Sequence, residues 1–138
     1  MQVKDFMTSI IITAEADMPV TEAARLMAAD DVGSLVVTRG EVLVGLVTRK
    51  EIICAQLFSE ESYSSLTLHD IILSPVITIG PDADLGQVVS LMNQSGRRHI
   101  PVIQGEEIIG IVTATDVIRV LATVKLIASG RPIEDIED

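Results

Sequence analysis

Two seven-residue stretches carry the groups best able to do chemistry: Gly110-Ile-Val-Thr-Ala-Thr-Asp116 and Gly45-Leu-Val-Thr-Arg-Lys-Glu51. In each, an apolar run ends in a threonine, and a carboxylate follows three residues later. That spacing admits two readings. Thr113 with Asp116, and Thr48 with Glu51, can form capping boxes that satisfy the orphan N–H groups of a helix start, a feature worth about 1 kcal/mol with no ligand involved. The same junction of strand end and helix N-terminus also favours anionic ligands, and a carboxylate there can accept hydrogen bonds from two sugar hydroxyls. Arg97, Arg98 and His99 precede an apolar strand in the second half of the chain. They supply two or three cationic groups suited to a phosphate ester. The first half offers Arg49 and Lys50, but at the position matching the basic cluster it carries Asp30-Asp31-Val32-Gly33-Ser34, which repels phosphate. The two places are unequal.

What positions these groups is a repeat. Sliding the sequence by 65 positions aligns residues 3–56 with 68–121 without a gap. Asp5 meets Asp70, Leu26-Met27 meets Leu91-Met92, Gly40-Glu41 meets Gly105-Glu106, and Val47-Thr48 meets Val112-Thr113. A solenoid needs at least three such units to bury its faces, so two copies imply a pseudo-twofold pair. Each copy reads as β-α-β-β-α, an α/β unit. Residues 10–14 and 76–79 are the first strands. Val20, Ala23, Ala24 and Met27, and again Leu85, Val88, Val89 and Met92, follow the spacing of one helical face. Pro19 and Asp84 suit helix starts. Hairpins follow over 34–47 and 100–112, turning at Gly40 and Gly105, with strands apolar enough for both sheet faces to be covered. A closing helix in each copy turns Ile52 and Ile53, or Val117, Ile118 and Leu121, inward. Repeat one is thus 1–57, a polar linker 58–67, repeat two 68–121, and 122–138 a helical extension to about Ser129 followed by a Gly130-Arg131-Pro132 stop and a frayed acidic end.

Composition narrows the function classes. Twenty acidic against ten basic residues give a net charge of −10, which disfavours non-specific binding to nucleic acid or anionic membrane. With two Phe, one Tyr and no Trp, the core must be aliphatic. The single Cys54 cannot form an internal disulfide and reads as a small apolar filler. The N-terminus lacks the apolar core of a signal peptide, and no apolar run approaches the ~20 residues of a membrane span. The expected location is the cytoplasm. His69 and His99 have no partners at metal-ligand spacing. Nothing pairs a nucleophile with a base, so no catalytic residue, metal or prosthetic group is expected.

The repeat and its GIVTATD and GLVTRKE junctions resemble the cystathionine-β-synthase (CBS) domain, and the tandem pair resembles a Bateman module, over residues 3–121. The resemblance implies two repeats packed sheet to sheet about a pseudo-twofold axis. It also implies clefts that take AMP, ADP, ATP or S-adenosylmethionine, and dimers forming four-repeat disks. By position, Asp116 would bind ribose hydroxyls, with Thr113 and Ile111 beside sugar and base. Arg98 and His99 would face phosphate, with Arg97 near them. Thr8, Ile11, Val32, Gly33 and Ser34 of the first repeat would flank the adenine from across the cleft. In the second cleft Glu51, one methylene longer than the family's Asp, would stand with Thr48 and Lys50. The implied role is a sensor acting on itself or on a separate regulated protein; the alternative is a ligand-independent interaction and dimerisation module.

Overall fold

The computed structural model describes residues 1–130; the Arg131-Pro132 stop and acidic end lie outside the described residues. In chain order the elements are α1 (Val3–Phe6), β1 (Thr13–Glu15), α2 (Val20–Asp30), β2 (Ser34–Arg39), β3 (Val42–Thr48) and α3 (Arg49–Ala55). There follow α4 (Glu60–Ser65), α5 (Leu68–Ile71), α6 (Leu85–Ser95), β4 (His99–Gln104), β5 (Glu107–Thr113) and α7 (Ala114–Ser129). The α/β class and both hairpins lie where the apolar runs and the Gly40 and Gly105 turns put them. The linker is itself helical: Ser59 caps α4 by accepting from the Ser62 N–H at 3.2 Å.

The chain folds as two compact units that do not coincide with the sequence repeats. One runs from Ile11 to Ile77; the other joins Met1–Ile10 to the chain from Thr78 onward. Each unit therefore contains the short helix that precedes the other repeat. Val3 of α1 is buried with Val88, Ile100, Val102, Val112 and Val117 in the repeat-two core. Leu68 of α5 is buried with Val20, Leu35, Val37, Val47 and Ile52 in the repeat-one core. Both short helices open with a capping box, Gln2 with Asp5 and Thr67 with Asp70.

Within each unit the hairpin is the rigid centre. β2 and β3 pair antiparallel from Ser34 opposite Thr48 to Arg39 opposite Val42. β4 and β5 repeat this from His99 opposite Thr113 to Gln104 opposite Glu107. Each ladder shifts register once, after Val37 and after Val102. Leu35, Val36 and Val37 are consecutive and all buried, so both faces of that strand are covered, since successive side chains point to opposite faces. Pro19 and Asp84 are the caps of α2 and α6.

Three expectations need correction. Residues 10–14 give only the three-residue β1, parallel to β2. Residues 76–79 give no strand, merely a bridge from Ile79 to Val102. The cause is Pro101, which occupies the place of Val36. The Val36 N–H donates to the Ile12 carbonyl at 2.9 Å, and proline has no N–H to do the same. Finally, Ile53, Val89, Ile118 and Leu121 are exposed rather than turned inward, whereas Ile52, Val88 and Val117 are buried.

The two long helices before the hairpins end alike, with a residue in the left-handed region. It is Gly96 after α6 (φ 71°) and Asp31 after α2 (φ 49°). A side chain there costs about 1–2 kcal/mol. The exposed Asp31–Arg49 ion pair at 3.4 Å returns little of that cost. Asp31→Gly should therefore raise the melting temperature by roughly 2–4 °C, for a gain of about 0.5–1 kcal/mol. Thermal denaturation checks this, and a lowered midpoint would contradict it.

Candidate functional site

In the repeat-two unit, β5 ends at Thr113 and α7 begins at the next residue. The Thr113 N–H donates to Asp116 Oδ2 at 2.9 Å, and the Asp116 N–H donates to Thr113 Oγ1 at 3.1 Å. This is the capping box anticipated from the spacing. It holds Asp116 at 4% exposure, unusual for a carboxylate unless it is well partnered.

A further partner comes from the start of the chain. The Thr8 N–H donates to the Ile111 carbonyl at 2.8 Å, and the Ile111 N–H donates back to the Thr8 carbonyl at 2.9 Å. This reciprocal pair fixes the segment after α1 against β5. The Thr8 hydroxyl then donates to both Asp116 oxygens, at 3.2 and 3.3 Å. Arg119, one turn further along α7, brings Nη1 to 3.8 Å from Oδ1. These partners fix both oxygens of Asp116, Oδ1 by Thr8 and Arg119 and Oδ2 by Thr8 and Thr113.

The basic cluster adjoins this carboxylate. His99 opens β4 directly opposite Thr113, and the Arg98 carbonyl accepts from the Ala114 N–H at 2.9 Å. Arg98 is exposed, while Arg97 and His99 are half-buried. Arg97 is set by its N–H, which donates to Ser95 Oγ at 3.2 Å. Ile111 is buried beneath the junction. Hydroxyl, carboxylate and cations are thus assembled by one hairpin end, one helix start and the N-terminal segment.

The equivalent junction in the repeat-one unit has the same backbone and different chemistry. The Thr48 N–H and hydroxyl both donate to one oxygen, Glu51 Oε1, at 2.7 and 2.6 Å. The longer side chain folds back on its own cap. Where Thr8 bridges to Ile111, Leu73 bridges to Leu46, so the place of the Thr8 hydroxyl is taken by an apolar side chain. Gly33 accepts from the Arg49 N–H at 3.3 Å, and Ser34, buried, lies opposite Thr48. Ile11 and Val32 are half-buried, and Lys50 is exposed. Arg49, expected to serve an anion, is turned to Asp31.

The structure thus gathers Thr8, Arg97, Arg98, His99, Ile111, Thr113 and Asp116 in one unit, and Ile11, Val32, Gly33, Ser34, Thr48, Lys50 and Glu51 in the other. The grouping of Thr8 with the first-repeat residues is corrected: it packs with repeat two and touches Asp116. Arg119 and Leu73 were missed as neighbours of the two junctions. The alignment pairs Leu73 with Thr8, so the loss of a hydroxyl was readable, but the bridge that makes it matter was not. Among the described residues no cluster of His, Cys, Asp or Glu could hold a metal ion, and no helix is long and apolar enough to cross a membrane.

Two α/β units of this design, each with a capped carboxylate where hairpin meets helix, define a tandem α/β repeat class of fold. Residues 3–57 and 68–123 each match the CBS domain model, and the chain belongs to the CBS domain family. It is 34% identical over 115 residues to inosine-5′-monophosphate dehydrogenase of Korarchaeum cryptofilum, covering 83% of this chain and 23% of that enzyme. It is 26% identical over 114 residues to the CBS domain-containing protein YhcV of Bacillus subtilis, covering 83% and 81%. The chain spans well under two thirds of the length of the first curated relatives it matches, 23% of the dehydrogenase and 13% of a tRNA nucleotidyltransferase of Geobacter sulfurreducens. Among solved structures, the CBS domain pair of protein MJ0100 in complex with 5′-methylthioadenosine and S-adenosyl-L-methionine superposes with TM-score 0.78 at 26% identity, covering 88% of this chain and 96% of that one. A CBS-domain protein from Agrobacterium tumefaciens shares the fold, with TM-score 0.78 at 23% identity and coverage of 86% and 91%.

Gly110 lets the Thr8 segment approach. A Cβ there would lie 2.7 Å from Met7 Sδ and 2.8 Å from the Thr8 carbonyl oxygen. The sulfur can swing away, but the carbonyl is held by Ile111. Gly110→Ala should therefore cost about 1–3 kcal/mol by overpacking. In hydrogen exchange, the Thr8 and Ile111 amides should lose more protection than β4. Unchanged protection at both amides would show that the segment is not pinned there.

Proposed function

We propose that this chain is a regulatory sensor module, not an enzyme, and that it binds an adenosyl ligand (AMP, ADP, ATP or S-adenosylmethionine) at the Asp116 junction. In this reading Asp116 accepts the ribose hydroxyls, and Thr8, Thr113 and Ile111 flank the sugar and base. Arg98 and His99, with Arg97 beside them, face the phosphate or other charged end. Ile11, Val32, Gly33 and Ser34, expected at the adenine, stand in the repeat-one unit. The observation that carries the reading is the buried Asp116 carboxylate, held by Thr113 and Thr8 with Arg98 and His99 at the same hairpin end. The ligands of the MJ0100 domain pair support it. Binding regulates only if the ligand prefers one arrangement of the protein over another. The receiver is proposed to be a homodimeric partner copy or a separate regulated protein in the cytoplasm, with no role for nucleic acid or membrane.

A second reading, a ligand-independent interaction module, is favoured by Glu51, whose Oε1 accepts both Thr48 donors as a cap, and by the exposed apolar residues of α3 and α7.

A thermal-shift titration separates the two. At a hundredfold excess over Kd, an adenosyl ligand should stabilise the chain by about 2.7 kcal/mol. Asp116→Asn, which can still accept from the Thr113 N–H, should weaken that ligand at least tenfold, corresponding to about 1.4 kcal/mol. An equal upshift in variant and parent would remove Asp116 from the site. No upshift with any adenosyl ligand would leave the interaction module.

A further inference from the structure

A carboxylate buried as deeply as Asp116 needs hydrogen-bonding partners whether or not anything is bound to it. The Thr113 N–H on Oδ2 and the Arg119 guanidinium near Oδ1 belong to α7 and its cap, and stay with the helix. The Thr8 hydroxyl is a different kind of partner. It lies 3.2 Å from Oδ1 and 3.3 Å from Oδ2, and its single hydrogen can be aimed fully at only one of them. Both distances exceed the roughly 2.5–2.7 Å usual for a hydroxyl on a carboxylate, so the contact is a loose one. The Thr8 backbone is fixed separately, by the reciprocal N–H to carbonyl pair with Ile111. The hydroxyl can therefore leave Asp116 by turning about χ1 to another staggered position, while the segment stays on β5. Thr8 is exposed, so a hydroxyl turned away exchanges the carboxylate for water.

We propose that Thr8 is an internal competitor for the ligand: its hydroxyl, midway between the two Asp116 oxygens, stands where a vicinal diol would dock, and a diol binds by displacing it. This rests on the Asp116 reading above and adds what the ligand must remove. Thr8 keeps the buried carboxylate satisfied when no ligand is present, and it weakens binding in doing so. The apparent Kd is the intrinsic one divided by the fraction of chains whose hydroxyl is turned away. Repeat one has no such competitor, since Leu73 takes the place of Thr8 at the bridge to Leu46 and Glu51 is met by its own Thr48.

The test compares the parent chain with Thr8→Ala, which removes the hydroxyl and keeps the backbone pair, Thr8→Ser, which retains a hydroxyl, and Asp116→Asn. Each is titrated calorimetrically with ATP and with S-adenosylmethionine, both of which carry the ribose diol. The probe that binds should bind Thr8→Ala about three- to tenfold more tightly than the parent, the range of one modest hydrogen bond, and Thr8→Ser about as the parent does. Without ligand, Thr8→Ala should melt below the parent, because a buried carboxylate has lost a donor. Tighter binding by a less stable chain is the opposite of what a merely damaged site gives. Equal or weaker binding by Thr8→Ala, with Asp116→Asn still weakened, would overturn the competition and leave the Asp116 reading standing. An unchanged melting midpoint in Thr8→Ala would show that the hydroxyl does not hold Asp116, and would overturn it equally. Binding by Asp116→Asn equal to the parent's, or no binding of either probe to any chain, would overturn the Asp116 reading and the competition together.

Discussion

A helix that begins directly under the end of a strand must satisfy its first N–H groups at once, because little room remains for water to do so. Both hairpin-to-helix junctions meet this constraint with a threonine and a carboxylate three residues on. The choice of carboxylate then decides what else the junction can do. Aspartate at 116 is short enough to cap the helix while its two oxygens remain turned toward Thr8. Glutamate at 51 reaches back and closes on Thr48. A stability device is thus shared by both repeats, and one methylene separates a carboxylate that also meets the Thr8 hydroxyl from one whose contacts are those of its own cap.

The exchange of short helices between the units gives this difference its setting. Val3 and Leu68 are each fully buried in the core of the other repeat, so the segments behind them are anchored by apolar burial as well as by polar contacts. Met7 and Thr8 lie over Gly110, as Ile72 lies over Gly45. The anchoring is symmetric; the residues delivered by it, Thr8 and Leu73, are not. On the proposed function, the N-terminal segment brings the Thr8 hydroxyl to the ligand-facing carboxylate.

Much of this was legible in the sequence because it rests on short-range rules. Hairpins, capping boxes and the α2 and α6 faces follow from apolar runs, glycine turns and local spacing, and the ungapped 65-residue shift supplies the pairing of repeats. The misses share a different cause. The strand at 76–79 fails for want of a proline N–H in another strand, and Thr8 belongs with Asp116 because of burial some eighty residues away. Ile53, Ile118 and Leu121 read as inward by period, yet their helices turn only a narrow stripe to their own core. Each of these depends on which segments meet, and periodicity alone does not say.

On the proposed function the two carboxylate junctions do different work, Asp116 serving a ligand and Glu51 serving its own helix. Calorimetric titration of the intact chain with S-adenosylmethionine and with ATP tests it most directly. The ligand that binds should saturate at one molecule per chain, and Glu51→Gln should leave this stoichiometry and affinity unchanged. Saturation at two molecules per chain, or no binding heat from either ligand, would contradict it.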